Sequence, residues 1–475
     1  MLIPLSSVQQ STVEWICAGG SSGFGINVSL SLRFRGPLTK PALERALAFV
    51  MSRHEGLRTR MQRSNGEVLQ YFAEPQDSVD LPVVSMTGMA EAESYIGMRL
   101  ASRLDLERDG PLHAQLLQLS PRDHILLLIL NHTATDTHAD DLFISELLRA
   151  YDCYMRGAVP MLPPAMTFSE HITSELQAGS RLGDTQLQYW RDVIRGHVPP
   201  IPRRPARAAN EPVCGRLIRV STTAEVTRRL EDFASASKVS LMAAVCSVIF
   251  LAVWREFALE DVCAFTVHAG RDSSRLKTLG ASAQRGFLVR LAMRKATSLP
   301  HLAKILQATL MRASIASRLP FTHERALAQL SEQDGAGAGE ATGSHAEPRV
   351  HLGIVDAMRI KRTVPEVTPQ LEVERVMPGP LLDDHFHFNT AKDSEHPLDV
   401  PYIDFLNILI RRDLSPEPGE PLTFVGTFID SRVEEGIVRP FLERICAVAA
   451  LVGPENRSLP LEQVLATSNS PQTKS

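Results

Sequence analysis

The chain has 475 residues, 44% hydrophobic and 22% charged, enough apolar material for large buried cores and too much for a disordered polymer. Its net charge of −4 lacks the basic footprint of a general nucleic-acid binder. The six cysteines (Cys17, Cys153, Cys214, Cys246, Cys263 and Cys446) are scattered with no C-x-x-C pair, the usage of a reducing compartment rather than a disulfide-stapled secreted domain.

At the N-terminus, Met1 to Gln10 shows neither the basic segment nor the long apolar core of a signal peptide, so a cytoplasmic protein is expected. Gly19 to Gly25 is glycine-rich but has neither the G-x-G-x-x-G nor the Walker spacing, and reads as a loop. Val28, Leu30, Leu32 and Phe34 alternate with Ser29, Ser31, Arg33 and Arg35, the period of a half-buried strand. Gly36-Pro37 ends it. Thr39 then stands where it can cap a helix, with Pro41 tolerated in the first turn and Leu43, Leu47, Val50 and Met51 on one face. Arg53 to Gly56 closes that helix, Leu57 to Met61 begins a strand, and Gly66 turns it into a partner over Val68 to Phe72.

A helix is expected over about 89–104, and strands over Pro111 to Leu119 and Asp123 to Leu130. The helix from about His138 to Tyr154 sets Leu142, Phe143, Leu147, Leu148 and Tyr151 on one side. Asp140 and Asp141 in its first turn read as acids favoured by the helix dipole. Pro160, Pro163 and Pro164 break the chain. Beyond them, Val226, Leu230 and Phe233 mark a further helical face. Leu241 to Phe257 is apolar all round, yet short of the roughly 20 residues that span a bilayer, so it reads as a buried helix. Asp261 to His268 is a strand ending at Gly270-Arg271. Pro199 to Pro212 and Glu332 to Pro348 read as loops, the second as mobile, and the chain from about Ser468 as a frayed tail. Hairpins mixed with helical crossovers argue for α+β layers.

Chemistry concentrates at Asn131-His132-Thr133-Ala134-Thr135-Asp136-Thr137. The preceding run Ile125 to Leu130 is solidly apolar, as in an interior strand, so His132 and Asp136 sit where that strand ends and the chain turns toward a helix. Functional groups are often presented on such loops. An imidazole there can accept a proton near neutral pH, and a carboxylate four residues on can hold a fixed ion pair. For an arbitrary histidine, a satisfied residue at a strand end is the better reading. His132, Asp136, His138, Asp140 and Asp141 have loosely zinc-like ligand types, but the two later aspartates have their place in the helix, and no metal is expected. His385 and His387 with Asp383 and Asp384 read as a solvated strand or loop. Arg203, Arg204 and Arg207 suit either a solvated linker or contact with an acidic partner.

Taken in order, these motifs resemble the condensation domains of nonribosomal peptide synthetases, within a wider acyltransferase group of chloramphenicol acetyltransferase-like folds. Asn131 to Thr137 looks like the family's His-His-x-x-x-Asp-Gly motif. Leu5 to Gln10 resembles its Ser-x-x-Gln signature, and Gly36-Pro37-Leu38 with Ala42 to Leu47 its first helix. Arg53-His54-Glu55-Gly56-Leu57-Arg58-Thr59 is close to its Arg-His-Glu-x-Leu-Arg-Thr run. Tyr189-Trp190 and Asp261-Val262 with Gly270-Arg271 look like its linking helix and its later strand and arginine. The resemblance covers most of the chain.

The resemblance implies two chloramphenicol acetyltransferase-like lobes in a V, over residues 1–175 and 176–475, with a tunnel at their junction. It implies His132 as the catalytic residue, Asp136 paired with Arg271 as structural support, and Asn131 as a structural residue. It also implies transfer of an acyl group from a phosphopantetheine thioester on an acyl or peptidyl carrier protein to an amine or alcohol. No cofactor of the protein's own and no membrane are expected. Neither an adenylation signature nor the carrier motif is visible, so a free-standing monomer meeting carriers in trans is expected. Two departures stand out. Asn131 replaces the first histidine, and Thr137 replaces the glycine, where a positive φ would be strained and where the side chain can narrow the acceptor approach. They leave room for a second reading, a condensation-like docking platform without catalysis. An epimerisation domain lacks its additional motifs here.

Overall fold

The computed structural model describes residues 2–17, 27–195, 200–202, 214–317, 349–356, 358, 370–376, 386–389, 405–412, 421–429, 433–453 and 459–467. The glycine-rich segment at 19–25, Arg203, Arg204 and Arg207, the segment 332–348, His385 with Asp383 and Asp384, and the tail from 468 lie outside them. The elements in chain order are α1 (Ser7–Cys17), β1 (Asn27–Arg35), α2 (Lys40–Arg53), β2 (Thr59–Ser64), β3 (Glu67–Phe72), β4 (Val83–Ser85), α3 (Met89–Ala101), β5 (Leu112–Ser120), β6 (Asp123–Asn131), α4 (Thr137–Met155) and α5 (Phe168–Ile194). They continue as β7 (Ile201–Pro202), β8 (Cys214–Ser221), α6 (Ala224–Ser237), α7 (Leu241–Phe257), β9 (Asp261–His268), β10 (Arg285–Ala292) and α8 (Leu299–Ala316). The last are β11 (Arg349–Asp356), β12 (Glu372–Val376), β13 (Phe386–Asn389), β14 (Phe405–Arg411), β15 (Thr423–Ile429), α9 (Glu435–Ala450) and α10 (Leu461–Thr467).

Two sheets organise two lobes. The first has the order β12-β1-β6-β5-β4, the second β10-β9-β11-β14-β15-β8-β13 with β7 added to β11, and β2 and β3 form a separate hairpin. The solid apolar run in β6 follows from helices on both faces of its sheet. Leu126, Leu128 and Leu130 pack with α2 and α4, while Ile125, Leu127 and Ile129 pack with Ala92, Ile96 and Leu100 of α3. In the second lobe α7 is buried without interruption from Ala243 to Val253 and packs against α6, α8 and α9. Among the described residues no single helix is long and apolar enough to cross a membrane.

The lobes are stitched together. Strand β12 lies in the second half of the sequence but pairs with β1, running antiparallel from Ser31↔Val376 to Arg35↔Glu372. Helix α5 runs unbroken through residue 175, the expected lobe boundary, and buries Trp190 in the second core. Its start is a capping box: Thr167 accepts from the Glu170 N–H while Glu170 returns a bond to Thr167. Glu55 adds to this, accepting from both the N–H and the hydroxyl of Ser169 at 2.8 and 2.9 Å.

Local readings need two corrections. Thr39 occupies the N-cap position of α2 but makes no side-chain cap; its N–H donates to the Tyr151 hydroxyl at 3.0 Å instead. Between α2 and β2 the chain makes a 3-10 turn over Glu55–Arg58, so the strand begins at Thr59, two residues later than expected. Asp140 lies in the first turn of α4, as its reading as a first-turn acid expects, and is buried there, at 4% exposed.

Candidate active site

The turn after β6 is set by Asn131. Its Nδ2 donates to Asn27 Oδ1 at 3.3 Å, tying it to the facing end of β1, and its Oδ1 accepts from the Thr133 N–H at 3.1 Å. The Ala134 N–H donates to the Asn131 carbonyl at 2.9 Å. Together these bonds close a side-chain-supported turn that carries His132 out of the sheet. An asparagine in this place therefore does structural work through both ends of its amide.

His132 is half-buried, and its two nitrogens differ. Nδ1 lies 2.8 Å from the Thr135 carbonyl oxygen, which can only accept, so Nδ1 carries the proton. Nε2 then holds a lone pair, and the Gln284 amide, 3.3 Å away, donates toward it. Gln284 comes from the lead-in to β10, so the second lobe reaches the imidazole nitrogen presented by the first.

Asp136 caps α4 by accepting from the Ala139 N–H at 2.9 Å. Its oxygens also receive Nη2 of Arg271 at 3.0 and 3.1 Å and the Ala283 N–H at 2.9 Å. Arg271 donates further to the Ala281 carbonyl at 2.7 Å. Both side chains are buried, and burial pulls the arginine pKa below its usual value against the opposing pull of Asp136. The carboxylate thus pins the 281–285 strap of the second lobe to the motif. Gly270 adopts a positive φ of 68°, and a side chain there would collide with the Ala283 carbonyl, so only glycine fits under this strap.

Thr137, exposed, is the first residue of α4 and has no positive φ, so a β-branched side chain meets no backbone strain. His138 turns to the surface, where Nε2 faces the Lys277 carbonyl at 2.9 Å. Among the described residues no three His, Cys, Asp or Glu side chains are placed to hold a metal ion. A cleft of about 490 Å³, lined by residues that include Tyr189, Asp192, Arg290, Lys295 and Arg312, involves no residue of the His132 turn.

The Arg53-His54-Glu55 run is structural. His54 and Arg53 both bond Glu146 on α4, at 2.8 and 2.9 Å. Burial pushes the Glu146 carboxyl up, but the His54 and Arg53 hydrogen bonds outweigh it and hold the group below its usual range. Gly280 has no room for a Cβ because it packs on the His54 ring, which seats the second-lobe strap against the first lobe.

Thr135, Asp140, Gln284 and Arg375 also belong to this neighbourhood; in the sequence Thr135 stood out only as part of the motif and Asp140 only as a first-turn acid and loose metal-ligand type, and Gln284 and Arg375 not at all. The Thr135 hydroxyl donates to Asp140 at 2.5 Å, and Arg375 on β12 approaches Asp140 at 4.0 Å and bonds Asp141 at 3.2 Å. Asp140 carried one signal, its place in the first turn of the helix that Asp136 caps. Gln284 and Arg375 carried none, since their placement depends on the strap and on the crossover strand.

Known proteins agree with this architecture. One relative is a probable non-canonical nonribosomal peptide synthetase, CymA, of Salinispora arenicola, 26% identical over 290 residues, or 58% of this chain. The match spans 4% of that relative's length. In fold, the chain is similar to the SgcC5 protein of Streptomyces globisporus, with a TM-score of 0.71, 20% identity and coverage of 96% of this chain and 100% of that one. It is similarly close to the X-domain solved in complex with OxyB from teicoplanin biosynthesis, with a TM-score of 0.72, 19% identity and coverage of 98% and 95%. Residues 2–335 match the condensation domain family, and with the two-lobed fold and the Asp136–Arg271 tie between its halves, the chain belongs to that family.

Proposed function

We propose that the protein transfers an acyl group from a carrier-protein phosphopantetheine thioester to an amine or alcohol, forming an amide or ester in nonribosomal peptide or polyketide biosynthesis. The observation that carries this reading is the geometry at His132: Nδ1–H is held by the Thr135 carbonyl, and the lone pair of Nε2 accepts from the Gln284 amide, a bond that an incoming acceptor would take over. On this reading the two substrate arms approach His132 from opposite sides of the junction between the lobes, and the carriers are met in the cytoplasm.

The acceptor N–H or O–H hydrogen-bonds to Nε2, and its nitrogen or oxygen attacks the thioester carbonyl. A C–N or C–O bond forms, the C–S bond breaks, and the proton passes by way of Nε2 to the departing sulfur. General-base assistance of this kind contributes roughly 10²–10⁴-fold, and it matters most for an alcohol, whose neutral oxygen is a poor nucleophile. Holding the acceptor against the carbonyl contributes comparably or more, and the Gln284 amide is placed to share that task.

The test is incubation of the purified protein with an acyl-carrier thioester and a panel of amines and alcohols, followed by mass analysis. Product that disappears in His132→Ala supports the reading. The departures at Asn131 and Thr137, together with the likeness to an X-domain solved with a partner enzyme, favour one other outcome, a docking platform. Tight binding of a carrier or tailoring enzyme, with no turnover of any thioester, would establish that instead.

A further inference from the structure

Behind the imidazole lies a buried acid for which the transfer reaction as written has no use. Asp140 projects from the first turn of α4 with its side chain 5% exposed. Its Oδ1 accepts the Thr135 hydroxyl at 2.5 Å, and the carbonyl of the same threonine accepts the His132 Nδ1–H at 2.8 Å. One residue therefore holds the histidine with its backbone and the aspartate with its side chain. A carboxylate is costly in such surroundings. Burial raises the Asp140 pKa to about 6, against the lowering effects of the Thr135 hydroxyl, of Arg375 and of His132, while Asp136 adds to the rise.

We propose that Asp140 is a positioning residue that acts on His132 through Thr135: it fixes the carbonyl that sets the ring's tautomer, and its charge stabilises the imidazolium formed when Nε2 takes the acceptor's proton. The proton stays on the imidazole until it leaves for sulfur, and Asp140 accepts none of it. Arg375 on the crossover strand holds the far oxygen of Asp140 at 4.0 Å and Asp141 at 3.2 Å. The strand that β12 lends to the first sheet thereby bears on the electrostatics of the motif.

Other charged groups face this cluster. Asp136 is matched by Arg271 and by the Ala283 N–H. His171 on α5 feels Glu175, Arg271, Arg285 and Asp136, and burial lowers its pKa. Arg285 is paired with Asp272 at 2.6 Å. Asp140 is joined to the His132 ring through Thr135 alone, by the threonine's hydroxyl on one side and its carbonyl on the other.

The coupling is testable without a substrate, by following the His132 imidazole nitrogens by NMR across a pH titration of the full chain. In Asp140→Asn, the midpoint should fall below that of wild type, because removing a nearby opposite charge disfavours the charged ring. Thr135→Val keeps the backbone carbonyl but loses the hydroxyl, and should move the midpoint in the same direction; it serves if the Asn variant fails to fold. A midpoint unchanged in a folded variant of either kind would overturn the proposal. The second arm rests on the transfer reading. With an acyl-pantetheine thioester and an amine acceptor, the acid limb of kcat/KM should move down in pH with the titration midpoint, while Asp140→Glu should restore part of the wild-type profile. A wild-type protein that turns over nothing would count against the transfer reading alone, because the NMR shift stands apart from turnover.

Discussion

Nη2 of Arg271 sits 3.0 and 3.1 Å from the two carboxylate oxygens of Asp136, across 135 residues of sequence and with both side chains buried. The pair joins the His132 turn to the strap before β10. Breaking a buried pair leaves the surviving charge without compensation, which typically costs about 3–5 kcal/mol. Asp136→Ala and Arg271→Ala should each destabilise by about that amount in urea denaturation. The double variant should lose less than the sum, because neither lone charge is then left behind.

His132→Ala should behave oppositely. The ring is half-buried, and its hydrogen bond to the second lobe, to Gln284, is 3.3 Å long, against the buried ion pair and cap that Asp136 makes. Melting should stay within a few degrees of wild type, while thioester turnover falls by about 10²–10⁴-fold. A stable, fully active His132→Ala protein would refute its assignment as base.

Asn131→Ala removes both the donor to Asn27 and the acceptor for the Thr133 N–H. Leaving buried polar partners unmet costs about 1–3 kcal/mol. Asn131→Asp keeps the acceptor for Thr133 but sets a buried carboxylate against Asn27 Oδ1, and should lose at least as much. A denaturation series over the three proteins checks the order.

Much of this was legible in the sequence for identifiable reasons. The period-two pattern of β1 and the solid run of β6 report local burial, and the end of that run put His132 and Asp136 where the strand stops and the chain turns toward a helix. The partner of Asp136 came from the family resemblance and is borne out as a contact. What stayed hidden depends on chain segments meeting from afar. Gln284 reaches His132 only because Gly270, Gly280 and Arg271 seat the strap, and Arg375 reaches Asp140 only because β12 leaves its own lobe to pair with β1. Asp141 and Asp140 are adjacent acids in one helical turn, and only packing against Thr135 decides which is buried.

Gly270→Ala tests the strap. At φ 68° an L side chain is strained, and its Cβ would meet the Ala283 carbonyl, whose residue also donates to Asp136. The local backbone must shift, at a cost of about 1–3 kcal/mol. Gln284, the next residue, should lose its place at Nε2. The expected signature is a moderate drop in melting temperature with a larger loss in kcat/KM for the acceptor than for the acyl donor.

The last prediction concerns pH. Asp140 has a folded-state pKa of about 6 against an ordinary value of 3.8, with burial as the leading cause. Between those values the folded chain keeps a proton that the unfolded chain has released, so this group makes stability fall as pH rises from about 4 to about 6. Below that window it costs nothing, and above it the cost is constant, on the order of 2–3 kcal/mol by the size of the shift. Carboxyls held low, such as Asp123 beside Arg33 and Glu44 beside Lys40, slope the opposite way and at lower pH. The difference between wild type and Asp140→Asn isolates the buried acid. Asparagine keeps an acceptor for the Thr135 hydroxyl, so the variant should melt higher than wild type at pH 7.5, and the gap should close on acidification through pH 6 toward pH 4. A gap that is absent at pH 7.5, or that widens toward acid, would mean that Arg375 and Thr135 compensate the carboxylate in full and that its burial carries no cost.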